Sequence, residues 1–234
     1  MNATRLTTAL KSLGNATIAA HSQRFFKTGP GEYGEGDVFI GVRMPALRKL
    51  SKKHRSMARS EVKKLLRSPI HEVRMCALLI LVEQFKRSNE DVQDEIYALY
   101  LANTKFVNGW DLVDCSAHLI VGPCLFDRSR APLTALARSD SLWERRIAII
   151  ATLHFIRVRQ FDDTLTLAKI LLKDPEDLIH KAVGWMLREV GKRDPQVEID
   201  FLEDHYKQMP RTMLRYAIEK FPEDLRQDFL KRRI

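Results

Sequence analysis

The chain has 234 residues, 45% of them apolar, enough to bury a sizeable core in a single domain or an elongated repeat array. Lys and Arg outnumber Asp and Glu by 39 to 30, giving a net charge of +9 and a pI near 9.6, which favours an anionic partner such as nucleic acid. No apolar run approaches the roughly 18 residues of a membrane-crossing helix. Met1 to Ala20 lacks a signal peptide's apolar block. Cys76, Cys115 and Cys124 make no disulfide framework, so the cytoplasm is the expected location. Cys115-x-x-His118 with Cys124 nearby lacks the fourth ligand of a zinc site, and no metal is expected.

The first irregularity in chain order is Lys27 to Gly41, where five glycines between Gly29 and Gly41 interrupt two helical regions. A glycine-rich loop can cradle phosphate, but the G-K-[ST] of a phosphate-binding loop is missing, and Glu32, Glu35 and Asp37 would repel an anion. A structural turn that packs Tyr33 and Phe39 is the better reading.

Beyond this loop the pattern is helical. Short amphipathic runs (Ser60 to Leu66, Ala131 to Ala137, Phe161 to Leu172) each precede a longer apolar run at three- and four-residue spacing, such as Val73, Ala77, Leu81 and Phe85, or Trp143, Ile147, Ile150 and His154. Ser68-Pro69, Ser139-Asp140 and Asp174-Pro175 supply start signals for the longer runs. Strand signals are almost absent. The reading is antiparallel helix pairs, each burying its apolar face by stacking on its neighbours. Residues 222–234 form a last helix that caps the array, and the basic tail Lys231-Arg232-Arg233 is a solvated end.

Landmarks keep step with this repeat. Arg74, Trp110, Arg146, Lys181 and Arg215 follow one another at 36, 36, 35 and 34 residues, a helical-repeat period that places them on successive second helices along one surface. Asp114 lies four residues after Trp110, and Trp185 four after Lys181, so each pair shares a helix face. Two tryptophans, a carboxylate and a row of cations suit a polyanion with chemistry at its centre. Asp111, one residue after Trp110, falls off that face and reads as solvated or capping, and Trp143 reads as core.

Several motifs together resemble the AlkD family of DNA alkylation repair glycosylases. They are Phe25-Phe26-Lys27-Thr28-Gly29, Gly31-Glu32-Tyr33-Gly34, Phe39-Ile40-Gly41-Val42, Trp110-Asp111-Leu112-Val113-Asp114, Trp143-Glu144-Arg145-Arg146-Ile147-Ala148 and Lys181-Ala182-Val183-Gly184-Trp185-Met186-Leu187-Arg188-Glu189. The resemblance runs from about Arg24 to about Phe221. It implies an all-α, right-handed superhelical array of HEAT-like antiparallel helix pairs over residues 1–234. It also implies excision of 3-methyladenine and 7-methylguanine from double-stranded DNA by a monomer without a cofactor. Trp110, Asp114 and Trp185 match the family's catalytic cluster and Arg146 its essential basic residue. This chain departs in having Phe25-Phe26 where relatives place a tyrosine.

The chemistry fits one carboxylate. A glycosidase normally needs an acid for the leaving group and a second carboxylate at the sugar. A purine alkylated at N3 or N7 is already cationic and leaves without protonation, so Asp114 suffices to stabilise the oxocarbenium-like sugar and orient water. Trp110 and Trp185 offer electron-rich faces to that cation. Arg146, with Arg145, Lys181 and Arg215, would hold phosphates, and truncating Arg146 should cost little stability. Nucleoid association follows from DNA binding. The alternative is a noncatalytic helical-repeat scaffold that binds DNA or protein in its groove.

Overall fold

The computed structural model describes all 234 residues, and its regular structure is helical throughout apart from one bridge between Val38 and Ile70. Backbone proximity divides the chain into two units, Met1–Ser116 and Ala117–Ile234. The first holds α1 (Ala3–Lys11), α2 (Ala16–Phe25), α3 (Met44–Lys53), α4 (Arg59–Leu66), α5 (His71–Phe85), α6 (Glu90–Leu101) and α7 (Trp110–Asp114). The second holds α8 (Ala117–Cys124), α9 (Ala131–Ala137), α10 (Leu142–Ala151), α11 (Leu153–Arg157), α12 (Asp162–Ile170), α13 (Asp177–Gly191), α14 (Pro195–His205), α15 (Arg211–Ala217) and α16 (Glu223–Lys231). No helix is long and apolar enough to cross a membrane.

The short run before each long one is a helix, and α4/α5, α9/α10, α12/α13 and α14/α15 form successive pairs in chain order. Arg74, Trp110, Arg146, Lys181 and Arg215 fall on α5, α7, α10, α13 and α15, each but α7 the second helix of such a pair. Side chains that bond the amide three residues ahead start five helices: Asn2, Asn15, Asn89, Ser141 and Asp194. In the first unit α5 is buried on every side, so that only its Glu83 and Gln84 escape, and its first turn takes His71, Glu72 and Arg74 into the interior along with the apolar residues. In the second unit α16 buries Phe229 against the rings of Tyr206 and Phe221 at 5.3 and 5.9 Å.

The start signals act one step earlier than expected. Ser68, Ser139 and Asp174 each accept the amide two residues ahead, at Ile70, Ser141 and Glu176, making a tight turn before the helix begins. A side chain six residues further on then donates to the carbonyl of the same turn residue. Arg74 reaches Ser68, Arg145 reaches Ser139, and His180 reaches Asp174. The structural repeat therefore aligns Arg74 with Arg145, not with Arg146. Part of the recurring basic landmark is a turn lock rather than a ligand-facing row.

Polar links join successive elements at nearly the same period. Arg59 meets Glu95, Arg67 meets Asn103, Arg130 meets Asp163 and Arg159 meets Asp194, separations of 36, 36, 33 and 35 residues.

In the second unit α13 and α15 approach closely at Gly184, where an added Cβ would lie 2.4 Å from the Met213 carbonyl oxygen and 2.6 Å from Tyr216 Cβ. Neither neighbour can yield without moving α15. Gly184→Ala should therefore destabilise the protein by about 1–3 kcal/mol, read as a lower urea midpoint at unchanged slope.

Candidate functional site

Glycines and carboxylates of the 27–41 loop shape one side of the site in the first unit. Gly41 has φ +79, and a Cβ there would lie 2.1 Å from the Asn15 carbonyl oxygen, so glycine is required on two counts. Glu32 accepts the Gly29 amide and Glu35 the Gly31 amide, so the loop's own acids occupy donors that a phosphate would need. Glu72, in the first turn of α5, gathers the amides of Ile40, Gly41 and Val42 at 2.7–3.3 Å. The loop is a structural turn that buries Phe39, as its sequence suggested; Tyr33 is half-buried, its hydroxyl on the Phe25 carbonyl.

His71, the first residue of α5, joins this loop to α7. Its Nδ1 lies 2.7 Å from Asp37 Oδ2 and its Nε2 2.8 Å from Asp111 Oδ2. With a carboxylate on each nitrogen both must donate, and only the imidazolium has two donors. Burial alone would lower its pKa; the hydrogen bonds to Asp111 and Asp37 outweigh burial and push it up to about 9. Burial acts to raise Asp37, but the bond from His71 and the Arg74 guanidinium 2.7 Å away hold that carboxyl below its ordinary range. Asp111 is thus neither solvated nor only a cap. Its side chain is 17% exposed, one oxygen accepts the Leu112 amide, and the other holds His71.

α7 is a single short helix anchored by buried Leu112 and Val113. Trp110 begins it and Asp114 ends it, both half-buried. The Trp110 ring stacks on Phe26 at 5.1 Å and 11°, and Phe25 meets it edge-on at 6.0 Å. Phe26 in turn stacks on Phe39, and Phe39 on His71 at 4.4 Å. Phe25 and Phe26 therefore form an aromatic ledge with Trp110, Phe25 being 58% exposed. Behind the ledge opens a cavity of about 770 Å³, lined among others by His21, Phe26, Arg43, His71, Met75 and Asp111.

In the second unit, Lys181 and Trp185 lie one turn apart on one face of α13. Lys181 pairs with Asp177 at 2.7 Å, and Trp185 Nε1 donates to Glu189 at 3.3 Å. Arg215 is exposed on α15. Arg146 is only 5% exposed, and its guanidinium donates to the Leu178 carbonyl, tying α10 to the start of α13. Arg145 spends Nε and one Nη on Asp174 and the other Nη on the Ser139 and Asp140 carbonyls. This geometry favours Arg145 as a turn-holding residue over the phosphate contact expected of it.

The cysteines take no part. Burial pushes the Cys76 thiol up to about 12, and burial with the Asp111 charge raises Cys115. No group of three or more His, Cys, Asp or Glu side chains is placed to hold a metal.

The profile of the family described as "DNA alkylation repair enzyme" matches residues 6–221. The chain belongs to this family. No curated protein matches it. Among solved structures, one described as "Predicted DNA alkylation repair enzyme from Enterococcus faecalis" aligns with a TM-score of 0.69 at 18% identity, covering 90% of this chain and 97% of that one. At that identity the likeness establishes the all-α helical-repeat fold. A role in alkylation repair with DNA as partner follows from membership.

Against this background the residue missed in the sequence is His71; Asp37 reads there only as repelling an anion, and nothing in the sequence foretells the stacking of Phe26 and Phe39 beneath Trp110. His71 and Asp111 are 40 residues apart and His71 and Asp37 34, so no local spacing betrays the cluster.

The buried charges make stability measurable in two ways. His71's folded pKa of about 9 lies above its ordinary 6.5. Its contribution is therefore complete below about pH 6.5 and lost as pH rises through about 9. Wild type should lose stability across that window, and His71→Gln should flatten the loss when unfolding is followed from pH 6 to 9. Arg146→Ala should cost about 1–3 kcal/mol in urea unfolding, against the near-neutral effect expected from sequence, because it removes a nearly fully buried side chain together with its link from α10 to α13.

Proposed function

We propose that this DNA alkylation repair protein is a monofunctional glycosylase that hydrolyses the N-glycosidic bond of cationic alkylpurines, 3-methyladenine and 7-methylguanine, in double-stranded DNA. The observation that carries the reading is Asp114, a half-buried carboxylate one turn from Trp110 on α7, with the Trp110 ring backed by Phe26.

The C1′–N bond breaks with its electron pair going to the base, which departs neutral and needs no acid. Positive charge develops on the sugar, where the Asp114 carboxylate stabilises it. Water attacks C1′, and its proton passes to Asp114 or to solvent. Trp110 presents an electron-rich face to the sugar cation, and its backing by Phe26 and Phe39 limits the ring's freedom. Trp185 is assigned the same work, and Arg146 the essential basic role, on the family resemblance. Lys181 and Arg215 are assigned to phosphates, supported by their exposure relative to Arg145 and Arg146.

Asp114→Asn keeps size and polarity while removing the charge. It should lower single-turnover release of 7-methylguanine about 10²–10³-fold with DNA binding largely kept. Equal rates for wild type and variant at saturating enzyme would remove Asp114 from the mechanism. No release of either base by wild type would leave the noncatalytic scaffold as the better reading.

A further inference from the structure

The net charge of the chain resides in one stretch. Between residues 43 and 67 there are ten Lys and Arg and one acid, Glu61, so these 25 residues carry +9; the remaining 209 hold 29 basic and 29 acidic residues and sum to zero. The stretch is α3, the turn after it, and α4.

Pairing sharpens the contrast. On α13 the cations are matched: Lys181 with Asp177, Arg188 with Glu219, and Lys192, just past its end, with Glu189. Within 43–67 the ion pairs are Arg59 with Glu95 and Lys64 with Glu61. Arg48, Lys49, Lys52 and Lys53 project from α3 as exposed side chains, and Lys63 does so from α4. No ion pair within the chain balances these five cations.

We infer that the α3–α4 hairpin is a second DNA-docking element, which holds the phosphate backbone of duplex DNA without regard to sequence or damage. Concentrated like charge raises local potential and accelerates encounter with a polyanion, and each phosphate neutralised releases a counterion. The element adjoins the aromatic ledge. Arg43, at the start of α3, lines the same cavity as Phe26, His71 and Asp111, so backbone held along α3 leads towards Trp110. An anionic membrane is the poorer fit, because an interfacial helix needs an apolar face to insert. None of the chain's exposed large apolar residues lies between 43 and 67. The inference rests on the DNA partner of the proposed function and not on its glycosylase step.

The test uses the full chain and an undamaged duplex, with affinity read by fluorescence anisotropy over a salt series. Lys49→Gln/Lys52→Gln/Lys53→Gln alters exposed positions only, and its fold is checked by thermal unfolding. The slope of log K against log salt should fall in magnitude by about 2–3, at roughly 0.9 for each phosphate that the variant no longer neutralises. A control, Lys86→Gln/Lys169→Gln/Lys173→Gln, removes the same charge from exposed positions elsewhere and should leave the slope as in wild type.

An unchanged slope in the α3 variant overturns the inference, as does an equal loss in the control, which would mark a net-charge effect. Loss of binding to phosphatidylserine vesicles with DNA binding intact would assign the hairpin to membranes and also overturn it. Because the duplex carries no lesion, failure of wild type to release a base would sink the glycosylase reading alone.

Discussion

A buried positive charge on His71 organises the first unit. Burial opposes that charge, and it persists because Asp37 and Asp111 approach the ring from opposite sides. Each carboxylate brings a different piece of chain. Asp37 belongs to the glycine-rich loop and Asp111 to the first turn of α7, so one imidazolium fixes both against the start of α5. Arg74 shares Asp37 and also grips the Ser68 carbonyl, binding the turn before α5 into the same network. Removing any member leaves an uncompensated ion in the interior, which costs more than the intact network gives back.

That clamp also explains why an aromatic ledge forms. Phe39 lies flat on His71, Phe26 on Phe39, and Trp110 on Phe26. Successive stacked rings transmit position without much side-chain freedom. Trp110 is held from behind by packing, and from its own helix by Leu112, Val113 and the Asp111 anchor. A half-buried tryptophan held in this way keeps its orientation through ring packing and the charged anchor of its own helix.

The helix pairs were legible because their signals are local. Apolar residues at three and four spacing marked α5 and α10, and the serines and aspartates before them marked their beginnings to within three residues. The all-α repeat followed from the period of the landmarks. The same period misled in one respect: Arg74 and Arg146 keep step in number, yet the turn lock pairs Arg74 with Arg145 in structure. Adjacent arginines cannot be told apart by spacing when the repeat itself varies by a residue or two. The aspartates on His71 were hidden for a different reason. They meet it across 34 and 40 residues, and a charged pair of that kind leaves no periodic trace. Asp111 looked solvated because its helix is only one turn long, and a helix so short has no solvent face set by periodicity.

The state of the thiols has a consequence for a protein of this family. Alkylating agents attack whatever nucleophile they meet, and a cysteine reacts as thiolate rather than thiol. Cys76 is buried with its pKa near 12, Cys115 is raised by burial and the neighbouring Asp111, and Cys124 is buried. At neutral pH Cys76 and Cys115 expose almost no thiolate, and Cys124 little surface. The thiols of this chain are therefore poor targets for alkylating reagents.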